Sequence, residues 1–260
     1  MDPLLLAALF AVPIGLSLGL LGGGGSILTI PVLIYALQVG EKSAIAGSLL
    51  VVGTTSAAAA LQHARAGNVV WRIAVMFGAA GMVGAYAGGQ AARHVPASVL
   101  LVVFAVLMFG TAAAMWRGRR NSTPAARSSA PVSRIIALGA VIGSVTGFVG
   151  AGGGFIVVPA LVLLAGLPMA QAVGTSLVVI AMNSFAGFTG QVGHVSLDYR
   201  LMGVVTVAAV AGSFVGAALG KRLDQEKLRK GFAVFVVAMA VFMIVKQLQA
   251  LLGAPITCFA

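Results

Sequence analysis

Residues 19–33 read GLLGGGGSILTIPVL, and residues 147–161 read GFVGAGGGFIVVPAL. The two stretches align without a gap when the chain is shifted by 128 residues, so that Pro31 meets Pro159. In each, a long apolar segment runs into a cluster of glycines, and a short apolar segment with a proline near its start follows. The sequence therefore contains an internal repeat whose most distinctive element is a glycine-rich break.

The same offset relates the rest of the two halves. Four further sets fall in register: Ser48-Leu49 with Ser176-Leu177, Ser56 with Ser184, Trp71-Arg72 with Tyr199-Arg200, and Gly84 and Gly88 with Gly212 and Gly216. Between the halves, residues 117–133 (RGRRNSTPAARSSAPVS) have a composition typical of a solvated linker. We therefore predict a first transmembrane repeat over 1–116, a cytoplasmic basic linker over 117–133 and a second transmembrane repeat over 134–260.

Composition indicates that both halves lie in a membrane. Of the 260 residues, 60% are hydrophobic and 8% are charged, against about a quarter charged in a typical soluble domain. Several charge-free stretches can supply helices of about 20 apolar residues: 3–40, 43–64, 73–92, 94–116, 135–197 and 201–220. The predicted fold class is all-α and polytopic, which excludes a soluble enzyme, a disordered chain and a disulfide-rich secreted domain.

The net charge of +11 does not indicate nucleic-acid binding in this chain. Lys and Arg lie in short segments between apolar stretches, where they set membrane topology. Cys258 is the only cysteine, which excludes an intramolecular disulfide and a cysteine-rich metal site. The expected partners are the lipid bilayer and a small anionic substrate, with no cofactor, no metal and no nucleic acid. The oligomeric state is left open.

Each glycine cluster precedes an apolar stretch of about 12 residues, 27–38 in the first half and 155–166 in the second. Twelve helical residues span about 18 Å, whereas the hydrocarbon core of a bilayer is about 30 Å thick. We therefore predict two half-length helices, with the glycines forming breaks at membrane depth. Such breaks are tolerated only where protein or a water-filled cavity surrounds them.

The distribution of Lys and Arg distinguishes two arrangements. Four full crossings per half make the repeats parallel, and the cations then divide 9 against 7. If each broken pair instead enters and leaves on one side, the repeats are inverted and 12 cations, including those of the linker, lie on one face. Four remain on the other: Lys42, Arg93, Arg200 and Lys246. The inverted arrangement is favoured because it agrees with the positive-inside rule, and it places both termini outside.

The two glycine clusters are candidate anion sites. Without a Cβ, successive backbone N–H groups can converge on an anion, and the helix that follows directs the positive end of its dipole to the same place. The alternative is that the glycines only let helices cross closely. The candidate residues are Gly22, Gly23, Gly24, Gly25 and Ser26 in the first half, and Gly150, Gly152, Gly153 and Gly154 in the second.

Neutral polar side chains on the next helix of each half are predicted to complete the site. Ser48 and Thr55 belong to the first half, and Ser176 and Asn183 to the second. Hydroxyl and amide groups donate hydrogen bonds to an oxyanion without carrying a full charge. For the hydroxyls, hydrogen bonds to their own helix or to a neighbouring helix are the alternative.

Ionisable groups are scarce in the apolar segments. All five acids sit at predicted membrane ends, so the carboxylate relay that commonly couples transport to H⁺ or Na⁺ is missing: Asp2, Glu41, Asp198, Asp224 and Glu226. His63 is a candidate gate or proton acceptor. Its alternative is a histidine at the membrane interface, which is the favoured interpretation of His94 and His194. The chain has no P-loop sequence and therefore no ATP site.

The duplicated G-x-x-G-x-G-G-G/S element with its following proline, the A-x-x-x-S-L segments at 44–49 and 172–177 and the basic linker resemble the sulfite exporter TauE/SafE family over nearly the whole chain. The resemblance implies a multi-pass permease of the bacterial inner membrane. It further implies that the substrates are small sulfur-containing anions such as sulfite or organosulfonates.

We therefore expect a transporter, and not an enzyme, that exports a small sulfur oxyanion through a site between the two repeats. Each negative charge that leaves a cell polarised by 100 mV gains about 2.3 kcal/mol, so export requires no coupling ion. Two alternatives stay open. One is a proton-coupled uptake permease for an organosulfonate or carboxylate anion, using His63, and the other is a membrane assembly factor that transports nothing.

Overall fold

The computed structural model describes residues 3–21, 24–117, 132–150, 152–163 and 165–220, together with 231, 234 and 236–246. Most of the predicted linker and the residues Gly22 and Gly23 lie outside this set. The described residues form ten α-helices: α1 (Pro3–Leu21), α2 (Gly24–Pro31), α3 (Glu41–Arg65), α4 (Trp71–Ala92), α5 (Ala97–Arg117), α6 (Val132–Val149), α7 (Gly154–Leu163), α8 (Met169–Gln191), α9 (Tyr199–Gly220) and α10 (Val236–Lys246). The all-α prediction is confirmed.

Five of these helices are long and apolar enough to cross a membrane: α3, α4, α6, α8 and α9. The two helices that follow the glycine clusters are much shorter. α2 has 8 residues and continues as a π-helical turn over Val32–Ala36, whereas α7 has 10 residues. The change to π geometry follows Pro31, which lacks an N–H group to continue the α-helical pattern. Neither short helix reaches across a hydrocarbon core of about 30 Å.

Helices α3 and α8 form the centre of the bundle. In their most apolar windows 72% of α3 and 67% of α8 is buried, against 33–44% for α4, α6 and α9. Gly53 lies against Ser184, and Gly187 lies against Leu49. The two contacts run in opposite directions along the chain, so α3 and α8 are antiparallel. Polar residues on this pair are consequently shielded from lipid.

The first helix of each half packs against the fourth helix of the other half, α1 against α9 and α6 against α4. At these crossings a Cβ added to a glycine of α1 or α6 would overlap the backbone of the opposite helix, which is why small residues recur there. Equivalent positions in the two crossings differ by 128 residues: Gly15 with Ala209, Gly143 with Gly81, Gly19 with Ser213, and Gly147 with Ala85. The two halves are therefore interlocked rather than side by side.

Two hydrogen bonds show which helix ends lie next to each other. The Ser43 hydroxyl donates to the Ser196 carbonyl oxygen at 2.8 Å, which joins the start of α3 to the turn before α9. At the other end of α3, the Val70 N–H donates to the Thr175 hydroxyl oxygen at 3.0 Å. The first bond places Ser43 and Ser196 at the same end of the bundle. The orientation of the repeats in a membrane stays a prediction.

Candidate functional site

The break between α6 and α7 contains three glycines in the left-handed region of backbone space. Gly150, Gly152 and Gly153 have φ angles of +77°, +64° and +73°, a conformation that costs other residues about 1–2 kcal/mol each. All three are buried. Among the described residues, no backbone carbonyl accepts a hydrogen bond from the Gly152 or Gly153 N–H. We call these three residues the glycine turn.

Side chains from three helices surround the glycine turn. A Cβ on Gly152 would come within 2.7 Å of both the Ser184 hydroxyl oxygen and a methyl carbon of Val52. A Cβ on Gly153 would overlap Thr146 on α6. The turn therefore lies between the central helices α3 and α8, and each of its positions needs glycine for space as well as for φ.

A side chain from the first half holds the glycine turn of the second half. The Ser48 hydroxyl on α3 donates to the carbonyl oxygen of Gly150 and also lies 2.8 Å from the Ile45 carbonyl oxygen on its own helix. The Gly150 N–H in turn donates to the Thr146 carbonyl oxygen at 2.9 Å. Two predicted site residues, Ser48 and Gly150, are thus in direct contact.

The first glycine cluster differs from the second. Gly24, Gly25 and Ser26 lie in the first turn of α2 rather than in the break that precedes it. The equivalent helix α7 starts two residues later in the repeat, at Gly154, because Gly152 and Gly153 have positive φ angles that no right-handed helix can include. In α7 the Ile156 N–H already donates to the Gly153 carbonyl oxygen at 2.9 Å, which leaves the N–H groups of Gly154 and Phe155 without an acceptor in their own helix.

The polar residues predicted on α3 and α8 divide into two groups. The Thr55 hydroxyl donates to the Val51 carbonyl oxygen at 2.7 Å, and the Ser176 hydroxyl donates to the Val173 carbonyl oxygen at 2.8 Å. Both are therefore bonded to their own helix, as the alternative interpretation expects. Asn183 is different, since it is buried and, within the described part of the chain, neither its amide nitrogen nor its amide oxygen has a hydrogen-bond partner.

Ser56 and Ser184 share the polar stretches of α3 and α8 with the predicted site residues, and Ser184 lies beside Gly152. Each is fully buried, and neither hydroxyl has a partner among the described residues. A buried polar atom without a partner costs about 1–3 kcal/mol, so two of them at equivalent positions of the repeat call for an explanation. The signal was present in the sequence, because the serine is identical in both copies at the 128-residue offset.

The predicted gate residue His63 lies near the end of α3 and is half-buried. Its backbone carbonyl oxygen accepts from the Asn68 N–H at 2.9 Å, which closes the turn after the helix. His94 is exposed at the opposite end of the bundle, where its Nε2 accepts from the Arg93 Nε–H at 2.8 Å. Across the described ranges no group of three His, Cys, Asp or Glu residues is placed to hold a metal ion.

The arrangement suits a small anion better than a cation. The glycine turn offers backbone N–H groups, and beside it the Ser184 hydroxyl has no partner among the described residues. The Asn183 amide, which also has no described partner, lies against Gly81 on α4. The nearest described acids, Glu41 and Asp198, lie at the ends of helices. Hydrogen-bond donors without a buried carboxylate are what an oxyanion requires.

Comparison with known proteins gives a consistent result. The family model described as Sulfite exporter TauE/SafE matches residues 5–243. A "Probable membrane transporter protein" from Xylella fastidiosa (strain 9a5c) is 33% identical over 238 residues, which cover 89% of this chain and 91% of the relative. A protein of the same description from Haemophilus influenzae is 26% identical over 262 residues, covering 94% and 98%. No solved structure gives a significant match.

Proposed function

Because the chain belongs to the sulfite exporter TauE/SafE family of multi-pass membrane transporters, we propose that it exports a small sulfur-containing oxyanion, sulfite or an organosulfonate, across the bacterial inner membrane. The observation that carries this proposal is the buried glycine turn, where left-handed Gly152 stands next to the buried Ser184 hydroxyl, a donor without a partner among the described residues. A bound oxyanion would supply the missing acceptor.

In the proposed site, the N–H groups of Gly152 and Gly153 and the first N–H groups of α7 bind the anion. Consecutive N–H groups in this conformation form a concave anion site, and the start of α7 adds the positive end of a helix dipole. The Ser184 hydroxyl lies next to Gly152 and completes the shell from α8. Ser48 positions the turn through the Gly150 carbonyl oxygen.

The first half contributes the residues at the equivalent repeat positions, although Gly24 and Gly25 belong to the first turn of a helix and not to a left-handed turn. Gly24, Gly25 and Ser26 start α2, and Ser56 occupies the position that Ser184 holds in the second half. With inverted repeats, the two half-helices direct their positive ends towards the same depth of the membrane, a plan that recurs among transporters. The anion then passes between two sets of neutral donors, and the absence of a buried Lys or Arg keeps binding weak enough for release.

The glycine turn is buried, so the anion reaches it only when neighbouring side chains move. Gly150, Gly152 and Gly153 pack against α3, α6 and α8, and these helices belong to both halves. A relative motion of the two interlocked halves would open the site to one face at a time. The membrane potential supplies the driving force, about 2.3 kcal/mol for each negative charge per 100 mV.

The decisive experiment is anion flux in proteoliposomes that contain the purified protein. We expect sulfite efflux that accelerates under an imposed membrane potential and does not respond to a pH gradient. The variant Gly153→Val should abolish the flux, whereas Gly110→Val is a matched control because nothing lies within 4 Å of a Cβ at that position.

Three results would contradict the proposal in different ways. Flux that follows the pH gradient would favour proton-coupled uptake through His63. Wild-type flux in Gly153→Val would reject the glycine turn as the binding site without contradicting the proposed substrate. Protein that unfolds normally on heating but moves no sulfur anion would favour a membrane assembly factor.

A further inference from the structure

A cavity opens at the end of the bundle where α3 starts and α4 ends. Its volume, measured as the space open to the centre of a water molecule, is about 50 Å³, whereas a single water needs roughly 10–15 Å³. The cavity is lined by Lys42, Ile45, Ala92, Arg93, Leu100, Gln191 and Val195. We call it the basic vestibule.

Among the described residues, two cations and no acid line the basic vestibule. The Lys42 ammonium donates to the Arg93 carbonyl oxygen at 3.1 Å, which holds the two residues together. Of the acids at this end, Glu41 is exposed in the first turn of α3. Asp198 accepts hydrogen bonds from the N–H groups of Arg200 and Leu201 at the start of α9. The vestibule therefore combines two cationic side chains with apolar walls, an arrangement that concentrates the field of its charges.

The basic vestibule lies directly beside the glycine turn. Ile45 lines the cavity and is also the residue that a Cβ on Gly150 would overlap. Gln191 lines the cavity from α8, and its amide nitrogen donates to the Gly147 carbonyl oxygen at 2.8 Å, at the end of α6. One buried side chain, Ile45 with 2% exposure, thus separates the cavity from the turn.

We propose that the basic vestibule is the mouth of the anion pathway on the face opposite the linker, where Lys42 and Arg93 attract a sulfonate- or sulfite-sized anion and Ile45 closes the passage to the glycine turn. This inference rests on the proposed function. The same pair of cations also fits the phosphate of an anionic lipid, so the test separates a soluble anion from a headgroup.

The test measures the local electrostatic potential through the reactivity of an introduced cysteine with charged thiol reagents. In a Cys258→Ser background, which removes the only native cysteine, a cysteine replaces Val195 in the vestibule or the exposed Tyr199 at the same end of the bundle. Nanodiscs of phosphatidylcholine present both faces to reagent. Each variant reacts with anionic sulfonatoethyl methanethiosulfonate and with cationic trimethylammonioethyl methanethiosulfonate, and the ratio of the two rates reports the potential.

We expect the anionic-to-cationic ratio in Val195→Cys to exceed that in Tyr199→Cys by about tenfold or more, because the two reagents differ by two charges and a local potential of about 1 kT already produces a difference of this size. Adding Lys42→Gln and Arg93→Gln should bring the two ratios together. Methanesulfonate should slow modification at position 195 only. Equal ratios in the two cysteine variants would overturn the proposal.

Two further arms separate the possible failures. If phosphatidylglycerol in the nanodiscs abolishes the excess reactivity and the protection by methanesulfonate, the cavity holds a lipid headgroup and is not a mouth. The thiol assay does not depend on transport. A high anionic-to-cationic ratio in Val195→Cys, in a protein that moves no sulfur anion, would therefore refute the proposed substrate but not the attraction of anions to the vestibule. Equal anionic-to-cationic ratios in the two cysteine variants of a protein with normal flux would refute the role of the basic vestibule and leave the proposed function standing.

Discussion

The hydroxyl of Ser48 donates a hydrogen bond to the carbonyl oxygen of Gly150, which lies 102 residues further along the chain. This bond ties α3 of the first half to the glycine turn of the second. It satisfies a buried backbone acceptor at a place where the chain has left its helix, and such acceptors must find a partner inside a membrane protein. The turn is consequently built by both halves of the sequence.

We predict that Ser48→Ala destabilises the glycine turn. The Gly150 carbonyl oxygen would lose its side-chain donor at a cost of about 1–3 kcal/mol, so both the melting temperature in detergent and anion flux should fall. Thr54→Ala is the matched control, because the Thr54 hydroxyl donates only to the Leu50 carbonyl oxygen of its own helix. Equal melting temperatures for the two variants would show that the Ser48 bond has no structural importance.

Gly152→Ala should abolish transport. The substitution combines a positive φ with a Cβ that would lie 2.7 Å from the Ser184 hydroxyl oxygen, for an expected cost of about 2–5 kcal/mol at the turn. We expect at least a tenfold loss of sulfite efflux in proteoliposomes.

The control for Gly152→Ala is Gly166→Ala, which shares the positive φ of +67° but has nothing within 4 Å of its Cβ. This variant introduces backbone strain without a steric clash, and it should retain most of its flux. Similar losses in both variants would assign the defect to strain and not to the space around the turn.

Ser184→Ala and Asn183→Leu should separate stability from function. Both native side chains are buried without hydrogen-bond partners among the described residues, so replacing them with apolar groups removes a desolvation penalty and should leave the melting temperature unchanged or raise it. Flux should nevertheless fall, since the anion loses donors. Unchanged flux together with raised stability would argue that these polar groups do not meet the substrate.

The interlocked crossings should be intolerant of larger side chains. Gly15→Leu and Gly143→Leu place a side chain against the backbone of Ala209 and of Gly81, and we expect both to reduce the yield of folded protein in detergent to a similar degree. Gly203→Leu on α9 has open space around it and should fold normally. A crossing that accepted leucine at one position and not at the other would show that the two halves are not equivalent.

Cysteine labelling of intact cells should distinguish inverted from parallel repeats. In a Cys258→Ser background, inverted repeats predict that His94→Cys and Ser196→Cys react with an impermeant thiol reagent from outside, whereas Ser128→Cys reacts only after permeabilisation. Parallel repeats predict that position 196 behaves like position 128. Labelling of Ser196→Cys only in permeabilised cells would therefore reject the inverted arrangement.

Much of the architecture was predictable because its signals are local or periodic. Long stretches without charge indicate the membrane helices, and α3, α4 and α9 begin and end within two residues of the charge-free stretches 43–64, 73–92 and 201–220. The short helices α2 and α7 were also predictable, from the length of the apolar stretch that follows each glycine cluster. The start of α2 at Gly24 was not predictable, because a glycine run is compatible with both helix and turn and only packing selects between them.

The candidate site was predictable in kind and not in detail. The duplicated glycine clusters indicated where the chain breaks, and Gly150, Gly152 and Gly153 indeed adopt positive φ angles there. The sequence could not separate Thr55 and Ser176, which bond to their own helices, from Ser56 and Ser184, which have no partner. Hydrogen bonding of a hydroxyl depends on what faces it, and that is a property of packing.

By itself the sequence determined that this protein is a helical membrane protein built from two related halves, because hydrophobicity, charge position and a repeated motif are all written along the chain. Only the tertiary structure decided which residues meet. The crossing of α1 with α9 and of α4 with α6, the bond from Ser48 to Gly150 and the basic vestibule beside Ile45 all join residues far apart in sequence. Such contacts depend on how helices pack in three dimensions, and no local pattern encodes them.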